Sequence, residues 1–390
     1  MAGAVSFAED GRLSPLSTPS ATRAVLEAHG IGTKYTLGQN FLVNDDVLKK
    51  IIALAEVGER DRILEVGPGI GTLTIALLKH AQSVVAIERD PDLPAVLADT
   101  LHPWREKFAL IEKDALDVTA DDIALAMEER RGLSGGAHQA SSAANAISPV
   151  GCRAERGLSE RLSATRKPDS GESPSEDCLS ESRYPASASQ GSSQRRSPNK
   201  LVANLPYAVA ATVVLDYFEQ FPFLESATVM VQKEVADRMA ATVGTKNYGA
   251  YTVKLGLYAE AAGRFAVGPG NFFPPPRVDS AVIRLNRRVP RMSDGAPATP
   301  ELVAAACLMA DAAFTNRRKT LANSCKTYFS GRKSLTLPRL EGHVCEYDGA
   351  ALAARLPELF ERAAIDPRRR GETLNQQEFL ALGAALLQQL

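Results

Sequence analysis

Residues 62–74 read RILEVGPGIGTLT: a strand-forming run, glycines at 67, 69 and 71, then Thr72 opening an apolar-periodic stretch to His80. A strand that passes through a glycine turn into a helix predicts the first unit of a parallel α/β sheet. Outward from it the pattern repeats. SVVAIE (83–88) and FALIEKD (108–114) read as buried strands, with a helix at Pro94 to Leu101 between them and one at Val47 to Val57 ahead. KLVANLPY (200–207), SATVMVQ (226–232) and DSAVIRL (279–285) continue the strands, with a helix at Lys233 to Thr242. Such alternation predicts a parallel sheet covered on both faces.

Two regions break the pattern. Residues 131–198 hold 16 Ser in 68 positions, no Phe, Trp or Met and one Tyr. They cannot bury enough apolar area to offset the entropy of ordering, so a disordered insertion is expected. Residues 1–30 read as a weakly ordered lead-in with one helix near Ala21 to His29. After Arg288 a Pro-containing linker leads into helices at Glu301 to Phe314 and Ala350 to Ala364. Thr373 and Gln376 then make a capping box for a final helix through Phe379 and Leu380. The expected division is 1–30, 31–288 interrupted at 131–198, and 289–390.

Glycines after a strand permit a tight turn and close approach of the backbone to a ligand. The spacing is G-x-G-x-G, not the G-x-G-x-x-G of dinucleotide sites, which disfavours a dehydrogenase. Glu65 puts a carboxylate beside the loop, where it would repel a pyrophosphate and attract a cation. Glu88 ends the second strand, where an acid can accept from both ribose hydroxyls. Asp114 ends the third, placed to accept from an adenine amino group. Three polar strand ends in register point to a phosphate-free, positively charged nucleoside, S-adenosylmethionine. The competing reading is an ordinary strand-to-helix turn with solvated acids.

Asn204-Leu205-Pro206-Tyr207 follows the fourth strand, at the carboxyl edge where open α/β sheets bind ligands. A base amine is a poor nucleophile because its lone pair is delocalised into the ring. Hydrogen bonds from its N–H groups to the Asn204 oxygen and a backbone carbonyl, such as that of Leu205, would favour a tetrahedral nitrogen. The reacting atoms would then be held about 3 Å apart. Tyr207 offers a ring to stack on the base, worth roughly 1–3 kcal/mol. In Asn271-Phe272-Phe273-Pro274-Pro275-Pro276, prolines stiffen a loop with two rings. One ring is expected in the core and one against the base, with Phe272 the stacking candidate.

The chain has 390 residues, 41.7 kDa and a formal charge of −1. That length gives ample core without disulfides or metal. The cysteines (152, 178, 307, 325, 345) are odd in number and include no C-x-x-C pair, so neither a disulfide framework nor a zinc site is expected. No run of 18 apolar residues exists, and the N-terminus lacks the basic flank of a secretory signal, so no membrane and a cytoplasmic location are expected. Residues 286–339 hold ten Lys/Arg against three acids. A basic module attached to a neutral one can bind a polyanion; the competing reading is a solvated helical surface.

Taken in order, GQNFL (38–42), LEVGPGIGTLT (64–74), AIERD (86–90), KDAL (113–116), NLPY (204–207), QKEVADRM (232–239), YGAYTV (248–253) and FFPPPRVDSAV (272–282) resemble the rRNA adenine-N6,N6-dimethyltransferases. TNRRKTLANS (315–324) and IDPRRRGETL (365–374) are similar to the bacterial small-subunit branch. The resemblance implies a Rossmann-like, seven-stranded, S-adenosylmethionine-dependent methyltransferase domain followed by a small α-helical domain. It implies transfer of two methyls to each of two adjacent adenines near the 3′ end of small-subunit (16S) rRNA, in a pre-30S particle, by a monomer without metal. The implied cofactor contacts fall on Asn40, Leu42, Gly67, Glu88, Asp114 and Asn204, and the target-adenine residues on Asn204, Tyr207 and Phe272. Phe273 stands where related sequences carry a small polar residue. Arg317, Arg318 and Lys319, with Arg368 to Arg370, would grip phosphates. The alternatives are a large-subunit rRNA adenine methyltransferase of the resistance type and a mainly non-catalytic assembly factor.

Overall fold

The computed structural model describes residues 11–32, 39–135, 197–338 and 344–389. Residues 1–10, Gly38, 136–196 with Cys152 and Cys178, and Arg339 lie outside the described residues. The lead-in is corrected over 11–28, which pack firmly. Asp45 Oδ1 accepts from the backbone N–H of Leu13 (2.8 Å) and Ser14 (3.3 Å), and Leu16 is fully buried. Thr18 then caps helix α1 (Pro19–Ala28) by accepting from the Ala21 N–H. A two-residue strand β1 (Phe41–Leu42) precedes α2 (Asp45–Ala55), which is capped by Asn44.

The main sheet grows from β2 (Arg62–Val66), α3 (Thr72–His80), β3 (Ser83–Glu88), α4 (Leu93–Thr100), β4 (Phe108–Glu112) and α5 (Ala120–Gly135). It continues through β5 (Lys200–Asn204), α6 (Ala210–Gln220), β6 (Ser226–Gln232), α7 (Lys233–Met239), α8 (Ala250–Tyr258) and β7 (Ala259–Val267). Strand β8 (Phe272–Phe273) leaves it to pair with β1, and β9 (Ser280–Arg287) returns to it. The seven strands lie in the order β4-β3-β2-β5-β6-β9-β7, and β9 alone runs against its neighbours. The chain steps outward from β2 to β4, then crosses back to β5 on the other side of β2. The carboxyl ends of β2 and β5 therefore open a crevice between them.

Alternation along the strands sends side chains to two cores. Leu64, Val66, Val85 and Ile87 pack with Val213, Val214, Tyr217 and Phe218 of α6. Ile63, Val84, Val202 and Val282 pack with α2, α3 and α4 on the other face. Each such side chain contributes roughly 1.5–3 kcal/mol by leaving water.

Helix α5 carries the chain back from the carboxyl edge: Arg130 Nη1 donates to the Glu106 carbonyl, just ahead of β4. The helix runs to Gly135, so the pattern breaks later than the expected Arg131. On the far side of the insertion, the Ser197 carbonyl accepts from Arg62 Nε at 2.7 Å, and Asn199 Oδ1 from the Arg62 N–H at 2.8 Å. Both described ends of the insertion thus sit at the amino edge of the sheet.

Beyond β9 come α9 (Pro300–Phe314), α10 (Leu321–Ser330), a hairpin of β10 (Leu335–Pro338) and β11 (Val344–Tyr347), α11 (Gly349–Ala354), α12 (Leu356–Arg362) and α13 (Gln376–Leu387). They share a core of Met309, Phe329, Leu359 and Phe379 that also takes in Tyr248 and Val253 from the α8 region. The single helix expected over 350–364 is two, because Pro357 lacks an N–H and its ring would strike the Ala353 carbonyl in a continuous helix. The capping box on α13 is Asn375 with Glu378, each side chain accepting from the other's N–H. Thr373 instead closes the turn before it, donating to the Arg370 carbonyl.

Candidate active site

Seven of the eight residues singled out for the site, Asn40, Leu42, Gly67, Glu88, Asp114, Asn204 and Tyr207, line one cavity of about 530 Å³ over the β2–β5 crevice. Its floor is the glycine loop. Gly67 and Gly69 have φ of +69° and +61°, and a Cβ at Gly69 would come within 3.1 Å of the Phe41 ring. Glycine is needed there for both conformation and space.

Strand alternation puts Glu65 inward, 1% exposed, at the cavity wall. Burial pushes its pKa up to about 8; the nearby Thr74 hydroxyl offsets a little and the Glu88 charge adds to it. Among the described residues its Oε2 has no hydrogen-bond partner. A buried, unsatisfied carboxyl beside a second acid is costly unless a ligand answers it. Glu88 is also raised by burial, while the Asp90 and Arg89 N–H groups, both 2.9 Å from Oε1, pull it back. Asp114 is lowered by the Leu116 N–H and then by Arg89, whose guanidinium lies 2.9 Å from Oδ2. Two buried carboxyls suit a nucleoside carrying positive charge, since the cations at the cavity wall are already paired, Arg89 with Asp114 and Lys113 with Asp122.

Asn204 ends β5. Its Nδ2 donates to the Asn40 carbonyl at 3.1 Å. A carbonyl only accepts, so the amide nitrogen is committed and the side-chain oxygen is left as the acceptor. The Tyr207 hydroxyl is 2.7 Å from Ser280 Oγ, and its pKa is raised by burial. Phe272 is a correction. It is 4% exposed, packs in the core under the Leu42 side of the β1–β8 pair, and does not line the cavity. Phe273 is half-buried, with the Arg23 guanidinium 5.3 Å from its ring centre.

Sequence reasoning passed over Gln39, whose Nε2 donates to Asp90 at 2.6 Å and draws the segment before β1 toward β3. It also passed over Phe41, Leu93 and Gln232 at the cavity wall. Gln39 and Phe41 carried a signal as part of GQNFL, and Gln232 as the first residue of QKEVADRM; Leu93 carried none.

The two basic segments meet in space. The Leu321 N–H donates to the Arg369 carbonyl at 2.6 Å, and Arg317 reaches Glu372 at 3.0 Å. Arg318, Lys319, Arg368 and Arg370 are exposed, whereas the Arg369 guanidinium is held by Glu378 and the Thr373 carbonyl. Cys307 and Cys325 are free thiols. Among the described residues no helix is long and apolar enough to cross a membrane, and no group of three His, Cys, Asp or Glu could hold a metal ion.

A family model described as "Ribosomal RNA adenine dimethylase" matches residues 32–339. The Ribosomal RNA small subunit methyltransferase A of Enterococcus faecalis is 32% identical over 375 residues, 95% of this chain and 96% of the relative. That of Staphylococcus aureus (strain Newman) is 31% identical over 367 residues, 94% of each. A solved dimethyladenosine transferase from Plasmodium falciparum matches with a TM-score of 0.53 at 19% identity, over 88% of this chain and 95% of that one, a likeness of fold. A match across most of the length, with relatives aligned nearly end to end, assigns the chain: it belongs to the ribosomal RNA adenine dimethylase family of S-adenosylmethionine-dependent methyltransferases.

Proposed function

We propose that this chain dimethylates the N6 amines of two adjacent adenines near the 3′ end of small-subunit rRNA, as a cytoplasmic monomer acting on a pre-30S particle. The observation that carries the reading is the Asn204 amide, locked by the Asn40 carbonyl so that its oxygen is left to accept. S-adenosylmethionine supplies, when bound, an electrophilic methyl group. Glu88 would accept from its ribose hydroxyls and Asp114 from its adenine amino group, with Asn40, Leu42 and Gly67 enclosing the remainder. The unpartnered Glu65 oxygen fits a cationic ligand.

The target adenine must leave its stack to reach the cavity. Asn204 and the Leu205 carbonyl would accept from its two N–H groups, drawing the nitrogen toward tetrahedral geometry and freeing its lone pair. The Tyr207 ring would stack on the base and favour the cationic amine formed. That cation gives its proton to water, so no side chain of tuned pKa is required. With Phe272 buried, Tyr207 is the ring beside Asn204 that lines the cavity, and Phe41 is the ring packed over the glycine loop. The helical part from residue 289 would hold RNA phosphates through Arg318, Lys319, Arg368 and Arg370, with Arg317 beside them and Arg369 bracing the loop.

Under-methylated 30S particles incubated with labelled S-adenosylmethionine test the proposal. Label should map to two adjacent adenines of the small subunit, and Asn204→Ala should lower incorporation by roughly a hundredfold or more. Label confined to the large subunit would overturn it.

A further inference from the structure

Tyr207 lies on the loop after β5, and Ser280 opens β9, with β6 between the two strands. Because β9 is the reversed strand, its first residue falls at the rim where β5 and β6 end. There Ser280 pairs with Gln232, which itself lines the cavity. The two hydroxyls are 2.7 Å apart. Ser280 has no solvent exposure, so its hydroxyl cannot turn to water if the Tyr207 bond is lost. An aromatic ring is otherwise loosely held about its last torsion. This bond fixes it, and ties the 205–209 loop to the strand that ends the proline-rich loop.

We propose that Ser280 is a positioning residue: it holds the plane of the Tyr207 ring and thereby governs the second methyl transfer to each adenine more than the first. The inference rests on the reading of Tyr207 as the ring against the target base. An unmodified amine offers two N–H groups, so Asn204 and the Leu205 carbonyl both orient it. After one transfer a single N–H remains. The base is then placed largely by its ring contact, and any looseness in Tyr207 is felt most at that stage.

The test follows N6-monomethyladenine and N6,N6-dimethyladenine over time on under-methylated 30S particles, with wild type, Ser280→Ala, Tyr207→Phe and the double variant. Tyr207→Phe removes the same bond from the less buried side. Each single variant should slow the second transfer roughly three- to tenfold and the first by less than about twofold, so that the monomethyl product accumulates. The double variant should be no worse than the worse single one, and S-adenosylmethionine affinity should not change. An unchanged product ratio in Ser280→Ala, or losses that multiply in the double variant, overturns the proposal. Tyr207→Ala separates the two layers. If it leaves both transfers intact, the reading of the site itself falls; if it slows both while Ser280→Ala keeps the wild-type ratio, only the positioning role falls.

Discussion

Glu65 gives the site its own pH dependence. Its folded pKa of about 8 stands above the ordinary 4.5, so between those values the native state keeps a proton that the unfolded chain has released. Stability from this group is complete below pH 4.5 and is lost as pH rises through 8. A cation in the cavity reverses the preference, since it favours the carboxylate and drives the proton off. The melting temperature of the protein without ligand should therefore fall across that window, and Glu65→Gln should flatten the fall. Calorimetric binding enthalpy should follow the buffer's ionisation heat in the wild type and much less in the variant. An equally steep fall in Glu65→Gln would assign the effect to other groups. Residues such as Glu88 and Asn204 were legible because a strand end fixes where the backbone delivers them. Phe272 was not: neighbouring residues on a strand face opposite sides, and nothing in FFPPP says which ring turns inward.

Among the elements, β2, β3 and β6 were legible to the residue because each is a short run rich in apolar and β-branched residues. Strand β7 escaped, since in this edge strand Ala, Glu, Gly and Arg outnumber Phe265 and Val267, most positions are exposed and there is no period to find. At the start of α13 the expected box of Thr373 with Gln376 gave way to Asn375 with Glu378, two residues on, because Thr373 closes the preceding turn. The short β1–β8 pair seats the Asn40 carbonyl against Asn204, and Phe272 is its buried anchor. Phe272→Ala should thus cost about 3 kcal/mol or more of stability, measured by urea unfolding. Loss of methyl transfer with stability unchanged would instead place this ring on the substrate.

At the scale of the molecule, the near-zero net charge conceals a face where two basic segments, distant in sequence, are drawn together by the Leu321–Arg369 backbone bond. That proximity could not be read from a linear charge count. Replacing both Arg318 and Arg370 with Gln should weaken binding to 30S particles and reduce the dependence of log affinity on log salt by about two. Affinity for S-adenosylmethionine should stay as it was. A salt slope equal to the wild type's would show that phosphates are gripped elsewhere.

The return of α5 to the Glu106 end of β4, and the re-entry beside Arg62, set the two stumps of residues 136–196 across the full depth of the sheet from the reaction. Evolution or an engineer can therefore vary that stretch without renegotiating the chemistry. A short Gly-Ser bridge in its place should keep the methylation rate within about twofold, since loop length enters folding free energy only logarithmically. The same seam is where a fluorophore or an affinity handle belongs.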